Sequence, residues 1–364
     1  MLFSDNDAET LFFYARLPMI TLGLVLGVFI YLWAKELFGL HAAVAVLFIY
    51  GLDPDILAHS PVVHTDIPFT TFLFIGTYFF WRLLDKLSWS NLLATCLFFG
   101  LAVTTKYNFF TILPIWGILG LLKILSTESP TGISPWGPLS RRGSKASVLA
   151  GVLICAAITA CLFIWAAYGF RFEAFREGID RHLLMAWVMP DGALLQRLVA
   201  FSSQHQLFPE AWIYGFLYVG RFLNRPAYLL GQISDDGFWL YFPVAFAVKT
   251  PVPILILLLA GVGMWVFKRR DRYHEFYLLI PVVVYFALAV YSRLNLGLRH
   301  LLPIYPFLFI LIGGTVTEIW WSGTYRKRVV LIFLGLWYLW SSVYSFPYYL
   351  AFFNEMAGGA KNGY

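Results

Sequence analysis

Residues Leu52–Pro68 read LDPDILAHSPVVHTDIP. The stretch holds three carboxylates, Asp53, Asp55 and Asp66, and two histidines, His59 and His64. Strongly apolar sequence flanks it on both sides, so it reads as a polar loop, residues 52–67, pinned between two membrane segments. Ionisable groups are costly next to hydrocarbon. Where a chain keeps several of them at a boundary, they mark a site at the membrane surface.

The rest of the chain supports a membrane setting. It has 364 residues, of which 60% are hydrophobic, 19% aromatic and only 13% charged. Soluble domains carry about a quarter charged residues. Mean hydropathy is +0.72. Repeated apolar runs of about 20 residues specify an all-α polytopic membrane protein. A transmembrane barrel is excluded, because its strands would alternate polar and apolar residues with period two. The net charge of +6 is no sign of a nucleic-acid partner, because the basic residues sit in short clusters between apolar runs. Cys96, Cys155 and Cys161 lie inside apolar runs, which argues against a disulfide framework or a thiolate metal site. The acidic opening MLFSDNDAET is unlike the basic start of a cleavable signal peptide.

About ten apolar segments are legible, at 11–34, 40–51, 68–84, 89–105, 107–125, 148–168, 250–267, 276–291, 301–321 and 329–347. The second is short enough to be broken or tilted. Lys35, Arg82 with Lys86, Arg141 and Arg142 with Lys145, the run Lys268 to Arg272, and Arg326-Lys327-Arg328 alternate with acidic loops and fall on one side. The positive-inside rule makes that side cytoplasmic. The opposite side receives 1–10, 52–67, 169–249, 292–300 and 348–364, with 14 of the 20 Asp and Glu residues. This gives three regions: membrane helices and the acidic loop in 1–168, a large extracytoplasmic loop in 169–249, and membrane helices with an outer tail in 250–364. The large loop mixes aromatic residues with arginines, as in EAWIYGFLYVGRF at 210–222. That mixture suits amphipathic helices lying in the bilayer interface rather than a domain with a core of its own.

Several residues could carry chemistry. Asp66 lies two residues before Pro68, where a helix begins; it, or Thr65, is either an N-cap or a carboxylate held at the mouth of the bundle as base or metal ligand. His64 stands beside it, and oxygen with imidazole ligands suits a divalent cation of unspecified identity. Asp53-Pro54-Asp55 has the form of a turn, and His59 that of a solvated loop histidine. Lys106, Lys249, Arg293 and Arg299 each sit where a helix meets the outer face. Each is either a snorkelling cation or one contributor to an anion pocket, and cations of this kind bind phosphate through charge-assisted contacts. Arg171 opens the large loop and pairs with Glu173 or with lipid phosphate; Gln232 offers a neutral sugar contact. Asp235-Asp236-Gly237 reads as a turn.

The string AHSPVVHTDIPFTTFLFIGTYFFWRLL, residues 58–84, resembles the second outer loop and following helix of polyprenyl-phosphate-sugar-dependent glycosyltransferases of the GT-C superfamily, such as protein O-mannosyltransferases and bacterial aminoarabinose transferases. YLLGQISDDGFWLYFPVAFAVKTPVP (228–253), GLRHLLPIYPFLFILIGG (297–314) and FPYYLAFFNEMAGG (346–359) resemble bacterial members in the same order. The resemblance implies a GT-C arrangement of helices and a polyprenyl-phosphate-linked sugar as donor. It implies a protein, lipid or glycan acceptor that attacks with inversion on the extracytoplasmic face, an acidic base and a divalent metal. Carried over, Asp66 with His64 matches the acidic position of the second loop, and Lys106, Lys249 and Arg299 match phosphate-side cations. The bacterial character of the motifs implies a plasma (inner) membrane.

In relatives a first helix and an acidic outer loop precede the segment that matches DAETLFFYARLPM, residues 7–19. The resemblance therefore implies an N-terminally shortened chain, or one in which Asp7 or Glu9 replaces the principal base. Two other readings stand beside the enzyme: a transporter or flippase for lipid-linked sugars, and an inactive fragment.

Overall fold

The computed structural model describes residues 7–127, 130–132, 141–174, 185, 187–189, 192–221, 225–267, 273–292 and 294–362. In chain order its helices are α1 (Ala8–Phe38), α2 (Leu40–Leu52), α3 (Pro54–His59), α4 (Asp66–Asp85), α5 (Trp89–Thr105), α6 (Ile112–Leu125), α7 (Arg142–Ala167), α8 (Ala193–Gln204), α9 (Glu210–Arg221), α10 (Tyr241–Lys249), α11 (Val252–Phe267), α12 (Phe276–Tyr291), α13 (Tyr305–Ser322) and α14 (Tyr325–Ser345). Sheet is confined to two short pairs, β1 (Lys86–Leu87) with β2 (Thr131–Gly132), and the hairpin of β3 (Ala227–Leu229) with β4 (Gln232–Ser234). The protein is an all-α polytopic membrane protein.

Each of the ten apolar segments forms a helix, but not all are long enough to span. Among the described residues seven helices are long and apolar enough to cross a membrane, or eight if α10 and α11, bent by 113° at their junction, count as one. With 13 and 17 residues, α2 and α5 are shorter. At about 1.5 Å per residue they reach roughly 20 and 26 Å, short of the ~30 Å hydrocarbon core. About ten spans were expected; seven or eight of the described helices are long and apolar enough by length and composition.

Local chemistry sets the helix ends. Asp7 caps α1 by accepting from Thr10 N–H at 3.3 Å, and Gly39, at φ 86°, ends it. Ser88 caps α5 through Asn91 N–H at 3.2 Å. Pro251 and Pro253 lack the N–H groups that would carry α10 on into α11, and the chain bends there.

The chain forms two compact units. The first comprises residues 1–78, 239–291 and 296–364. Gly23 and Gly27 on α1 face Tyr50 on α2, whose hydroxyl donates to Gly23 O at 2.6 Å. On α13, Gly313 packs against Val46 and the Ala42 carbonyl of α2. Small residues at such crossings bring helix backbones close, which is how membrane helices gain packing without a hydrophobic drive between them. Trp33 is fully buried among Phe74, Tyr78 and Phe307. Tyr338 of α14 donates to Ile49 O at 2.6 Å, fixing the end of α2 just before the acidic loop.

The second unit comprises 79–238 and 292–295. In it α5 packs on α7 where Gly100 admits Phe163, and α6 on α7 where Gly120 admits Leu149. Two buried lysines are satisfied locally. Lys123 pairs with Asp85 at 2.9 Å, and Lys145 donates to Ser126 O at 2.8 Å. The amphipathic α8 and α9 were expected to lack a core. Instead Val188, Val199, Ile213 and Leu217 form a small buried cluster, with Phe208 and Trp212 packed on it.

Candidate functional site

The acidic loop folds inward rather than into solvent. Asp53 is the N-cap of α3: its Oδ1 accepts from Asp55 N–H at 3.1 Å and Ile56 N–H at 3.0 Å, with Pro54 in the first turn. This corrects the reading of Asp53-Pro54-Asp55 as a simple turn. Such a cap contributes about 1 kcal/mol. It also buries its carboxylate completely, at 0% exposure, and Asp55 beside it at 4%. The Oδ2 atoms of both are buried without a hydrogen-bond partner.

His59 ends α3 half-buried, which corrects its reading as a solvated loop residue. Its Nδ1 lies 3.3 Å from His64 Nε2. His64 Nδ1 accepts the backbone N–H of Asp66 at 3.0 Å. With Nδ1 an acceptor, the neutral tautomer assigned to His64 carries its proton on Nε2 and donates to His59. Asp66 is the first residue of α4 and is 5% exposed. Its Oδ2 lies 3.6 Å from His64 Nδ1 and 3.9 Å from Arg299 Nε.

Arg299 arrives on a 3-10 helix, Leu298–Ile304, that Gly297 starts at φ 101°. Its Nε is buried without a hydrogen-bond partner, yet its side chain is 43% exposed. The buried end of the guanidinium thus faces Asp66, and the outer end remains open to a ligand. Lys249, the last residue of α10, donates to Leu350 O at 3.2 Å and stands 3.8 Å over the Phe353 ring. It lies within electrostatic reach of Asp55 and His59. One unit therefore gathers Asp53, Asp55, His59, His64, Asp66, Lys249 and Arg299.

Burial controls the protonation of the loop. It pushes the Asp53 carboxyl up to about 7, against the two cap hydrogen bonds that favour its charged form. Burial and then the Asp53 charge push Asp55 well above the usual carboxylate range, with Lys249 opposing. Burial, with His64 second, pushes His59 down to about 4, so it is neutral at pH 7.

Lys106 caps the end of α5, Arg171 follows α7 and is exposed, and Gln232 is exposed on β4; all three belong to the second unit. Arg293 lies outside the described residues. Of the two nitrogens of His64, one accepts from Asp66 N–H and the other faces His59. Among the described residues no three His, Cys, Asp or Glu side chains are placed to hold one metal ion. Asp66 and His64 offer at most two protein ligands to a divalent ion, and the chemistry below is derived from the side chains alone.

Sequence reading missed Asn354. It is 1% exposed and its side-chain amide donates to Ala247 O at 2.6 Å and Thr250 O at 2.7 Å. The only signal for it was its place in the FPYYLAFFNEMAGG string. An apolar groove of about 330 Å³ runs along α11, α12 and α13, reaching Glu275 and Glu318. Glu318 is roughly 20 Å along α13 from Tyr305, so the groove extends away from the charged cluster.

A family model described as dolichyl-phosphate-mannose-protein mannosyltransferase matches residues 8–128, a run that includes Asp66. The fold is similar to a crystal structure of the Archaeoglobus fulgidus oligosaccharyltransferase in the apo form, with a TM-score of 0.53 and 16% identity. That likeness is one of fold; it covers 94% of this chain and 45% of the archaeal one, so this chain spans about half its length. Comparison with curated proteins gave no match. The first match is one of sequence over residues 8–128, and the second is one of fold.

Proposed function

We propose that the protein transfers a sugar from a polyprenyl-phosphate carrier to an acceptor hydroxyl or amine on the extracytoplasmic face of a plasma membrane, with inversion. The observation that carries this reading is the pairing of Asp66 with a half-exposed Arg299 where α4 and α13 begin. Transfer needs a base for the nucleophile and positive charge for the leaving phosphate, and the two lie side by side.

In this scheme the acceptor O–H or N–H approaches Asp66 Oδ2, which takes its proton. The acceptor heteroatom bonds to the anomeric carbon from the face opposite the leaving group. The C–O bond to phosphate breaks, and its electron pair leaves on the lipid phosphate. Arg299 and Lys249 face that phosphate as its charge grows. The phosphate is a good leaving group, so orientation, one base and positive charge suffice. A carboxylate also stabilises the oxocarbenium-like sugar, as in glycoside hydrolysis. His64 holds the Asp66 backbone, and neutral His59 fixes the His64 tautomer.

The family description points to dolichyl-phosphate mannose as the first donor to try. The native protein in its own membranes, given radiolabelled polyprenyl-phosphate mannose, is expected to move label from the lipid fraction into acceptor and to release polyprenyl phosphate. Label that only crosses the bilayer, still on its lipid, would replace this reading with that of a flippase.

A further inference from the structure

The sequence KTPVP at 249–253 creates a problem that the structure solves from a distance. Helix geometry would bond the Ala247 carbonyl to the N–H of residue 251 and the Lys249 carbonyl to that of residue 253. Both are prolines without one. The break thus strips the end of α10 of hydrogen-bond donors, at a point where Thr250 is fully buried. Buried carbonyls need partners.

Asn354 supplies them, more than a hundred residues later. Its Nδ2 donates to Ala247 O and Thr250 O, and its backbone N–H to Val248 O at 2.9 Å. Its Oδ1 accepts from Met356 N–H at 3.0 Å and Ala357 N–H at 3.4 Å, which folds the tail into a compact turn. The same tail touches Lys249 directly, through the Leu350 carbonyl and the face of Phe353. The backbone on both sides of Lys249 and its ammonium group are therefore held by one strap, Leu350–Ala357.

We propose that Asn354 is a positioning residue for Lys249: the strap it anchors fixes the ammonium against Leu350 O and Phe353, beside Asp55, in the orientation used for the donor phosphate. A lysine otherwise spreads over many rotamers, and a flexible cation binds phosphate less well than one held in place. The amide of residue 354 is specific: an aspartate there would face the Ala247 and Thr250 carbonyls with a carboxylate.

The part of this inference that concerns phosphate rests on the proposed function; the part that concerns Lys249 does not. The test separates them. In the full-length detergent-solubilised protein, the rate of reductive methylation of each lysine with formaldehyde is followed by mass spectrometry for wild type, N354A, N354D and F353L. F353L leaves the Asn354 hydrogen bonds intact and serves if the Asn354 variants do not fold. Lys123, buried in the other unit, is the reference. Release of the strap that carries Leu350 O and Phe353 is expected to raise Lys249 labelling by about tenfold in each Asn354 variant that folds, and loss of the ring contact alone to raise it severalfold in F353L, with Lys123 unchanged. Unchanged Lys249 labelling, or a rise shared by Lys123, would overturn the inference. With the labelling result in hand, the donor KM is measured. A raised KM in N354A that is absent when N354A is added to K249M places the effect on Lys249. A donor KM indifferent to both would leave the strap in place and remove the phosphate role.

Discussion

Arg299 Nε lies 3.9 Å from Asp66 Oδ2, and the two side chains differ sharply in exposure, 43% against 7%. The carboxylate is walled in, and the cation that balances it reaches outward. R299M should therefore do two things. It removes a proposed phosphate contact, raising the donor KM, and it removes the guanidinium beside Asp66, lowering kcat. R299K should restore charge but not the planar contact, and recover only part of the activity. Steady-state kinetics of the three proteins checks this.

Asp53 and His59 give pH dependences of opposite sign. The folded Asp53 carboxyl, at about 7, lies above its ordinary value of 3.8. Its stabilising contribution is full below the unfolded pKa and is lost as pH rises through about 7. The folded His59, at about 4, lies below its ordinary value of 6.5, so its contribution is present above the unfolded pKa and is lost as pH falls through about 4. D53N keeps a capping oxygen and removes the carboxylate. It should flatten the loss of thermal stability between pH 5 and 7 (approximate bounds from the two shifts) and leave the acid-side loss from His59. Melting temperatures of both proteins across that range test the signs.

Gly313 packs where α13 meets α2, and a methyl group there would meet Val46 and sit 3.1 Å from the Ala42 carbonyl. A backbone oxygen cannot swing aside as a side chain can. G313A should cost about 1–3 kcal/mol by overpacking. G335A, on α14 with nothing near the added carbon, should be near neutral. Thermal unfolding of the two variants in one detergent gives the comparison.

The proposed scheme uses Asp66, Arg299 and Lys249 with no metal ion, so transfer is expected to survive chelation with its rate within about twofold, far from the loss that removing a Lewis acid causes. Transfer assays with and without a chelator, followed by divalent-ion addition, decide the point. Loss on chelation with full recovery on adding one metal would show that the site recruits an ion with help from substrate oxygens.

The helices were legible because each apolar run is long and the basic clusters between them are short and regular. Length was harder to judge: α2 and α5 are as apolar as their neighbours but shorter, at 13 and 17 residues. Leu52–Pro68 was recognisable as a site from its density of ionisable groups, and Asp66, His64, Lys249 and Arg299 were named from sequence and lie in one unit. What those residues touch was not legible. Asp53 looked like a turn residue because a buried cap and an exposed turn share the same Asp-Pro pattern. His59 looked solvated because its partner His64 faces it only after α3 forms. Asn354 was invisible, since the carbonyls it satisfies belong to a proline break 104 and 107 residues away. The cluster under α8 and α9 was missed because its apolar residues are interleaved with arginines and exposed aromatics.

Asp66 as the base is the central claim, and D66N tests it most directly. The native protein and D66N are purified from source membranes, matched for melting temperature and donor binding, and assayed with radiolabelled polyprenyl-phosphate sugar. The account predicts that D66N still binds donor and that transfer falls by about a hundredfold or more, the scale of a general base. Transfer by D66N at the wild-type rate would contradict it, and would leave the Asp66–Arg299 pair as a structural contact.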